Sequence, residues 1–471
     1  MNHNLLMSEK SLGQLRAEEL SYKKQNIFEL ADEEKIKRIY DYAEGYKAFL
    51  DAAKTEREAV RESIRMAEAA GFSAYTLGAP LTAGDLRYYN NRDKSLFLFR
   101  IGSRDMDKEG IRILAAHIDS PRLDLKQNPL YEDSGLAFFK THYYGGIKKY
   151  QWTAIPLALH GVVITADGRT MDIVIGEDDK DPVFYITDLL PHLAQEQMTR
   201  PLASAIPGES LNIVIGGSPF RDDKAESKVK LNVLHILAEK YGIHEEDFIS
   251  AELSAVPAFR ARDIGFDRAL IGAYGHDDRV CAYPEISAIL ETDTEHTVMA
   301  ILADKEEIGS YGVSGMQSAL LRDMIDLVAT ACGKNPILVR ANSVCLSADV
   351  NAAFDPNFAE AYERRNSAML SCGATMSKFT GSRGKSGTSD ASAELVGRIR
   401  RIFSTYGVNW QTAELGKVDG GGGGTVAMYI ANLNVDTIDL GVPVISMHAP
   451  YELVSKADVY ATYEAFSAFL K

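Results

Sequence analysis

Cysteine is scarce. Only Cys281, Cys332, Cys345 and Cys372 occur in 471 residues, with no C-x-x-C pair among them. That spacing argues against a disulfide framework and a four-cysteine structural zinc site; it fits reduced, mostly buried thiols in a cytoplasmic protein. No apolar run approaches the roughly 20 residues needed to cross a bilayer. The opening MNHNLLMSEKSLGQLRAEEL has neither a basic stretch leading into an apolar one nor an Arg/Ser-rich, acid-poor composition, so no leader is expected from it. Positive charge is in deficit: 51 Lys and Arg stand against 66 Asp and Glu, a net charge of −15. Nucleic acid and anionic membrane surfaces are therefore poor partners. Internal repeats are missing, and the one low-complexity run is Gly420–Gly424. What remains is a chain of ordinary globular composition, long enough for two or three domains.

The first 75 residues read as helical. Ile39, Tyr42, Tyr46, Phe49 and Ala53 recur at steps of three and four, which places them on one helical face. Strands are predicted at Ser95–Gly102 and Ile111–Ile118. From about 126 to 247 the pattern changes to short β-branched or alternating runs (Leu157–Thr165, Met171–Gly176, Leu211–Gly216) broken by Gly and Pro, the mark of a β-rich insertion. Beyond 248, buried strands are predicted at Thr297–Ala303, Ile337–Leu346 and Thr437–Met447, with helices at Ser314–Thr330, Ala391–Phe403 and Ala457–Leu470. Ser455 is placed to cap the last helix. Strand–helix alternation gives an α/β layer structure around a mostly parallel sheet, in two parts (1–125 and 248–471) separated by the 126–247 insertion.

The informative residues stand where apolar strands end. One run leads to His117-Ile-Asp119, another to Asp304-Lys-Glu306-Glu307, a third to Asp349, and a fourth to His448-Ala-Pro-Tyr-Glu452; Gly275-His276-Asp277-Asp278-Arg279 opens a helix-like stretch. Ligand sites of α/β sheets lie off the carboxyl ends of the strands. Two histidines with several carboxylates suit zinc, cobalt or manganese, whereas an all-oxygen set would suit magnesium or calcium. One carboxylate shared by two ions, with one His and one acid completing each side, makes a two-metal hydrolytic site with a carboxylate to spare as general base. Each element alone has a commoner structural explanation. Repeated unpaired acids at buried strand ends do not.

At these residues the chain resembles the aspartyl aminopeptidase family of dimetal metallopeptidases. The matching pieces are HIDSPRLDLK at 117–126, YGGI at 144–147, DDR at 277–279, DKEEIGS at 304–310, SADV at 347–350 with DPNF at 355–358, and DLGVPVISMHAPYE at 439–452. The resemblance implies a metalloaminopeptidase with two divalent ions, zinc first and cobalt or manganese as alternatives. It also implies a catalytic α/β/α sandwich interrupted by a β-rich dimerisation domain, and a homo-oligomer of the tetrahedral dodecamer type. Carried over, His117, Asp277, Glu307, Asp349 and His448 are metal ligands, with Asp277 bridging; its bond to Asp278 is often cis in related sites. Glu306 is the general base and Asp119 orients the His117 ring. Peptides with a free amino terminus are the implied substrates. Lys378, Arg383 and Lys385 are candidates to read the first side chain. His192 is a candidate for the histidine that a neighbouring subunit supplies in the family, although Glu196 holds the matching position. Acid-specific members carry Ala-His where this chain has Asn351-Ala352 after Val350, so a neutral or broader preference is expected.

Rival patterns are incomplete. Thr380-Gly-Ser-Arg-Gly384-Lys385-Ser386 resembles the tail of a P-loop, but Phe379 stands where its first Gly belongs. His244-Glu245-Glu246-Asp247-Phe248 lacks the second His of a zincin, and no G-x-S-x-G elbow occurs. A dimetal amidase or deacetylase acting on blocked amines remains as an alternative, as do a P-loop nucleotide-binding protein and an inactive assembly scaffold.

Overall fold

Four parallel strands, Val298–Ala303, Arg112–His117, Val344–Ser347 and Asp436–Gly441, lie side by side at the centre of a nine-stranded sheet. The computed structural model describes residues 10–471. Outside the central four, the sheet continues through Ser95–Arg100, Leu86–Asn91 and Ser73–Ala74 on one side, and through Ala374–Ser377 and Trp410–Thr412 on the other. Val298–Ala303 is buried along its whole length, because helices cover both faces. Leu114 and Ala116 face a core formed with helices Glu33–Ala52, Glu56–Ala69, His276–Glu291, Ala393–Tyr406 and Lys456–Leu470. Ile113 and Ala115 face the opposite core, formed with Ala319–Ala331 and Pro336–Asn342. The result is an α/β/α sandwich.

A second, wholly antiparallel sheet of seven strands spans residues 122–257. Its strand Ala251–Pro257 pairs with both Arg122–Asp133 and Pro156–Ile164, so six of the strands close into a ring, with Thr170–Ile175 added outside. This β-rich layer also carries a helix, Lys228–Tyr241. A third sheet of five short strands pairs Leu270–Ala273 with Glu452–Ser455 and the latter with Pro443–Ile445.

The early helical stripe lies on one helix, Glu33–Ala52, with Ile39, Tyr46 and Phe49 buried along it and Ala53 buried at its C-cap. Ser455 caps the last helix by accepting from the Ala457 amide. Two expected strands differ. Ile337–Leu346 is a helix, Pro336–Asn342, followed by a strand: Asn335 caps it and Pro336 has its ring in the first turn, where its missing N–H costs nothing. A short apolar run alone does not distinguish the two. Thr437–Met447 breaks after Gly441 into strands belonging to different sheets. Gly441 packs directly on the Asp349 backbone, a contact closed to any residue with a Cβ. The helix expected from Ser314 starts at Ala319, because Ser318 caps it. Among the described residues the four cysteines are free, and no helix is long and apolar enough to cross a membrane.

Candidate metal centre

Register alone brings the first of the expected ligands together. His117 ends its strand opposite Ala303, and Asp304, Lys305 and Glu306 follow. On the other flank Ser347 pairs with Ala115, so Asp349 leaves its strand level with His117. Ala273 pairs with Glu452 in the five-stranded sheet, which sends Asp277 and His448 off the same edge. Glu452 ties the two segments: one carboxylate oxygen accepts from the Asp277 amide at 3.1 Å, the other from the His448 amide at 2.8 Å. The Asp277–Asp278 peptide bond is cis.

At the centre the Asp277 carboxylate lies between two imidazoles. Its Oδ1 is 3.1 Å from His117 Nε2 and its Oδ2 is 3.2 Å from His448 Nε2. Asp349 stands 3.8 Å from the His117 nitrogen, and Glu307 stands 3.6 Å from that of His448. The opposite ring nitrogens face backbone carbonyls: His117 Nδ1 donates to Asp119 O at 3.0 Å, His448 Nδ1 to Gly146 O at 2.7 Å. A carbonyl only accepts, so both Nδ1 atoms carry the proton and both Nε2 atoms are turned toward the acids. The Asp119 carboxylate is 3.4 Å from His117 Nδ1 and does further work: its oxygens accept from the amides of Glu306 and Glu307 at 3.1 and 3.2 Å.

Charge here is unbalanced without cations. Burial pushes the carboxyls of Glu307, Asp349 and Asp278 up, and that of Glu306 to about 8. Burial works against protonated imidazoles too. Even so, the surrounding carboxylates hold His117 well above its ordinary value, and His448 reaches about 10. Asp277, paired with both, is pulled down in spite of burial. Asp277 Oδ1, both Asp278 oxygens and Glu307 Oε1 are buried with no hydrogen bond. Such oxygens cost several kcal/mol each if they stay charged and unpaired, on the order given by transfer data. The donor set therefore fits divalent ions. Two groupings have ligand atoms within 4.8 Å of one another, His117–Asp277–Glu307 and His117–Asp278–Asp349.

A cleft of about 300 Å³ opens at this centre, lined by Glu306, Asp349 and His448 together with Phe379, Arg383, Lys417 and the Gly421–Gly424 run. Of the residues expected to read the substrate, Arg383 lines it. Lys378 and Lys385 do not; both bind Asp390, at 2.7 and 3.2 Å, and Lys385 lies over the Phe379 ring. His192 is exposed and outside the cleft. Three residues with contacts in the site received no role from sequence: Asp278, Glu452 and Tyr144, whose hydroxyl donates to Asp119 at 2.8 Å. All lie within recognisable motifs, but nothing in spacing separates them from their neighbours.

Fold and site together define a metal-dependent aminopeptidase. A model of the family described as "Aminopeptidase I zinc metalloprotease (M18)" matches residues 49–470, and the chain belongs to that family. It is 50% identical over 454 residues to a probable M18 family aminopeptidase 1 of Clostridium acetobutylicum, covering 94% of this chain and 97% of the other. The solved M18 aminopeptidase of Thermotoga maritima superposes with a TM-score of 0.90 at 41% identity, covering 96% of this chain and all of that one. The Saccharomyces cerevisiae mApe1 dodecamer shares the fold, at TM-score 0.73 and 21% identity, over 91% of this chain and 96% of that one.

Proposed function

We propose that the enzyme releases the first residue of peptides bearing a free amino terminus, at a pair of divalent ions that are zinc in the first place, with cobalt or manganese as substitutes. The observation that carries this is the Asp277 carboxylate, with one oxygen toward His117 and one toward His448. In this assignment Asp277 bridges, His117 and Asp349 complete one side, and Glu307 and His448 the other. Bound there, the ions supply Lewis acidity for water and carbonyl. Glu306, beside the centre and lining the cleft, takes the proton from water and returns it to the leaving amine. Asp119 acts behind the ligands, holding the turn that presents Glu306 and Glu307.

The catalytic unit is formed by the chain on either side of the seven-stranded sheet, and the insertion expected at 126–247, widened to 122–257 by strands Arg122–Asp133 and Ala251–Pro257, is the dimerising part. Exposed Leu189, Leu190, Leu193, Met198 and Leu202 on that insertion support burial against another copy, and the yeast dodecamer supports the same assembly here. Unpaired thiols support a reducing, cytoplasmic setting. Pairing of Lys378 and Lys385 with Asp390 leaves Arg383 as the one of the three candidates that lines the cleft, where Lys417 is offset by Glu414 and Phe379 and Met447 add apolar surface, which supports a neutral or broader first-residue preference. A panel of amino acid p-nitroanilides, assayed after chelation and after return of zinc, cobalt or manganese, tests all of this. Turnover should vanish with the metal, return with it, and be highest for neutral residues. Faster turnover of N-acetylated amino acids would show a deacylase instead.

A further inference from the structure

The segment Tyr144–Gly145–Gly146 leaves the end of strand Leu136–Tyr144, in the seven-stranded sheet, and crosses to the metal centre. It touches three site residues in three consecutive positions. Tyr144 Oη donates to Asp119 Oδ2 at 2.8 Å. Gly145, at φ +76°, packs so closely on Glu307 that a Cβ would stand 3.1 Å from its Oε2. Gly146 gives its carbonyl to His448 Nδ1 at 2.7 Å.

Tyr144 is itself braced. The Arg122 guanidinium sits 4.0 Å from its ring centroid, and Arg122 is fixed by Glu56 at 3.0 Å and Asp124 at 2.8 Å. Lys94 holds the other Glu56 oxygen at 2.8 Å. Glu56 begins a helix of the α/β/α sandwich and Lys94 precedes its strand Ser95–Arg100, whereas Tyr144 belongs to the other sheet. The tyrosine is thus held from both sides of the seam.

Among the described residues, Tyr144 is the one side chain that hydrogen-bonds the Asp119 carboxylate apart from the His117 ring 3.4 Å away; its other partners are the two amides it holds. Its Oδ2 accepts both from Tyr144 and from the Glu307 amide, and its Oδ1 from the Glu306 amide. A carboxylate that loses its one side-chain hydroxyl donor can rotate about χ2, a broad torsion. Both amide bonds and the His117 contact then loosen together. Building on the site assignment above, we infer that Tyr144 is a positioning residue that locks Asp119, and through it the Glu306–Glu307 turn and the His117 ring, so that the β-rich insertion is part of what makes the metal centre competent. Tyr144 touches neither substrate nor ion in this role.

The test is Tyr144→Phe, which keeps the ring and its contact with Arg122 and removes only the hydroxyl. Tyr143→Phe, at the exposed neighbouring ring, is the control. At saturating zinc, Tyr144→Phe should lower kcat by about tenfold or more with KM for a p-nitroanilide unchanged; zinc affinity, measured by chelator competition, should weaken by about 10–100-fold, as for other groups that orient ligands. The melting temperature of the metal-free variant should stay within a few degrees of the parent. Tyr143→Phe should match the parent throughout. Wild-type kcat and zinc affinity in Tyr144→Phe would overturn the inference, as would a rise in KM alone or a loss of activity that only follows loss of folded protein. In each case an active, zinc-dependent parent would leave the assignment of the ligands standing; an inactive parent would remove that instead.

Discussion

Replacing Glu306 by Gln keeps the shape of the side chain and the amide that Asp119 holds, and removes only the capacity to take a proton. Positioned general bases contribute about 10²–10⁴ in rate, which is about 3–5 kcal/mol of barrier. Turnover of a p-nitroanilide at saturating zinc should fall by at least ~10²-fold, with the metal content unchanged. Stability should move the other way. Burial among Asp349, Asp119 and Asp277 holds the Glu306 carboxyl at about 8 in the metal-free chain, against 4.5 ordinarily. Keeping it neutral at pH 7 costs the metal-free fold on the order of 3 kcal/mol. That cost is absent below about pH 4.5, where folded and unfolded chains are both protonated, grows as the unfolded chain ionises, and levels off above about pH 8. The Gln variant escapes it. Metal-free Glu306→Gln should therefore melt above the metal-free parent at pH 7–8 and converge with it near pH 4, by differential scanning calorimetry. Near-normal turnover would refute the base assignment, and a lower melting point across that range would refute the electrostatics.

Metal binding should release protons. At pH 7 the metal-free imidazoles of His117 and His448 are held protonated by their acid neighbours, His448 up to about 10, and each must give up that proton to become a ligand. The raised His448 stabilises the metal-free fold fully below about pH 6.5 and ceases to as pH rises through about 10, so zinc affinity should climb over that interval. Calorimetry in two buffers of different ionisation enthalpy measures the release; buffer-independent heats would contradict it. Gly441→Ala should drive a methyl group into the Asp349 backbone, costing about 1–3 kcal/mol of stability and most of the activity. Denaturant midpoints and turnover check both, and an unchanged enzyme would show that Asp349 is not placed by that contact.

His117, Asp349 and His448 were legible as candidate ligands because each follows an apolar run, and a strand's end is a local property, whereas Asp277 opens a helix. His117, Asp349 and His448 needed no knowledge of the partner strands. Their mutual placement came from register, His117 level with Asp349 through the Ala115–Ser347 pair. Glu452 and Tyr144 were visible as motif letters without a task, since what they hold is hundreds or tens of residues away: Glu452 reaches Asp277 across 175 residues, Tyr144 reaches Asp119 across 25. Asp278 looks like its neighbour in sequence; only burial beside His117 and Asp349 sets it apart. Lys378 and Lys385 read as free cations until Asp390 folded back on both. The run 337–346 misled because Asn335 and Pro336 started a helix just ahead of it.

Anomalous scattering from crystals grown with zinc, recorded on both sides of the absorption edge, tests the two-ion centre most directly. Two peaks about 3.5–4 Å apart should flank the Asp277 carboxylate, one against His117 and Asp349 and the other against Glu307 and His448. A single peak, or any peak whose nearest side chains exclude Asp277, would contradict it.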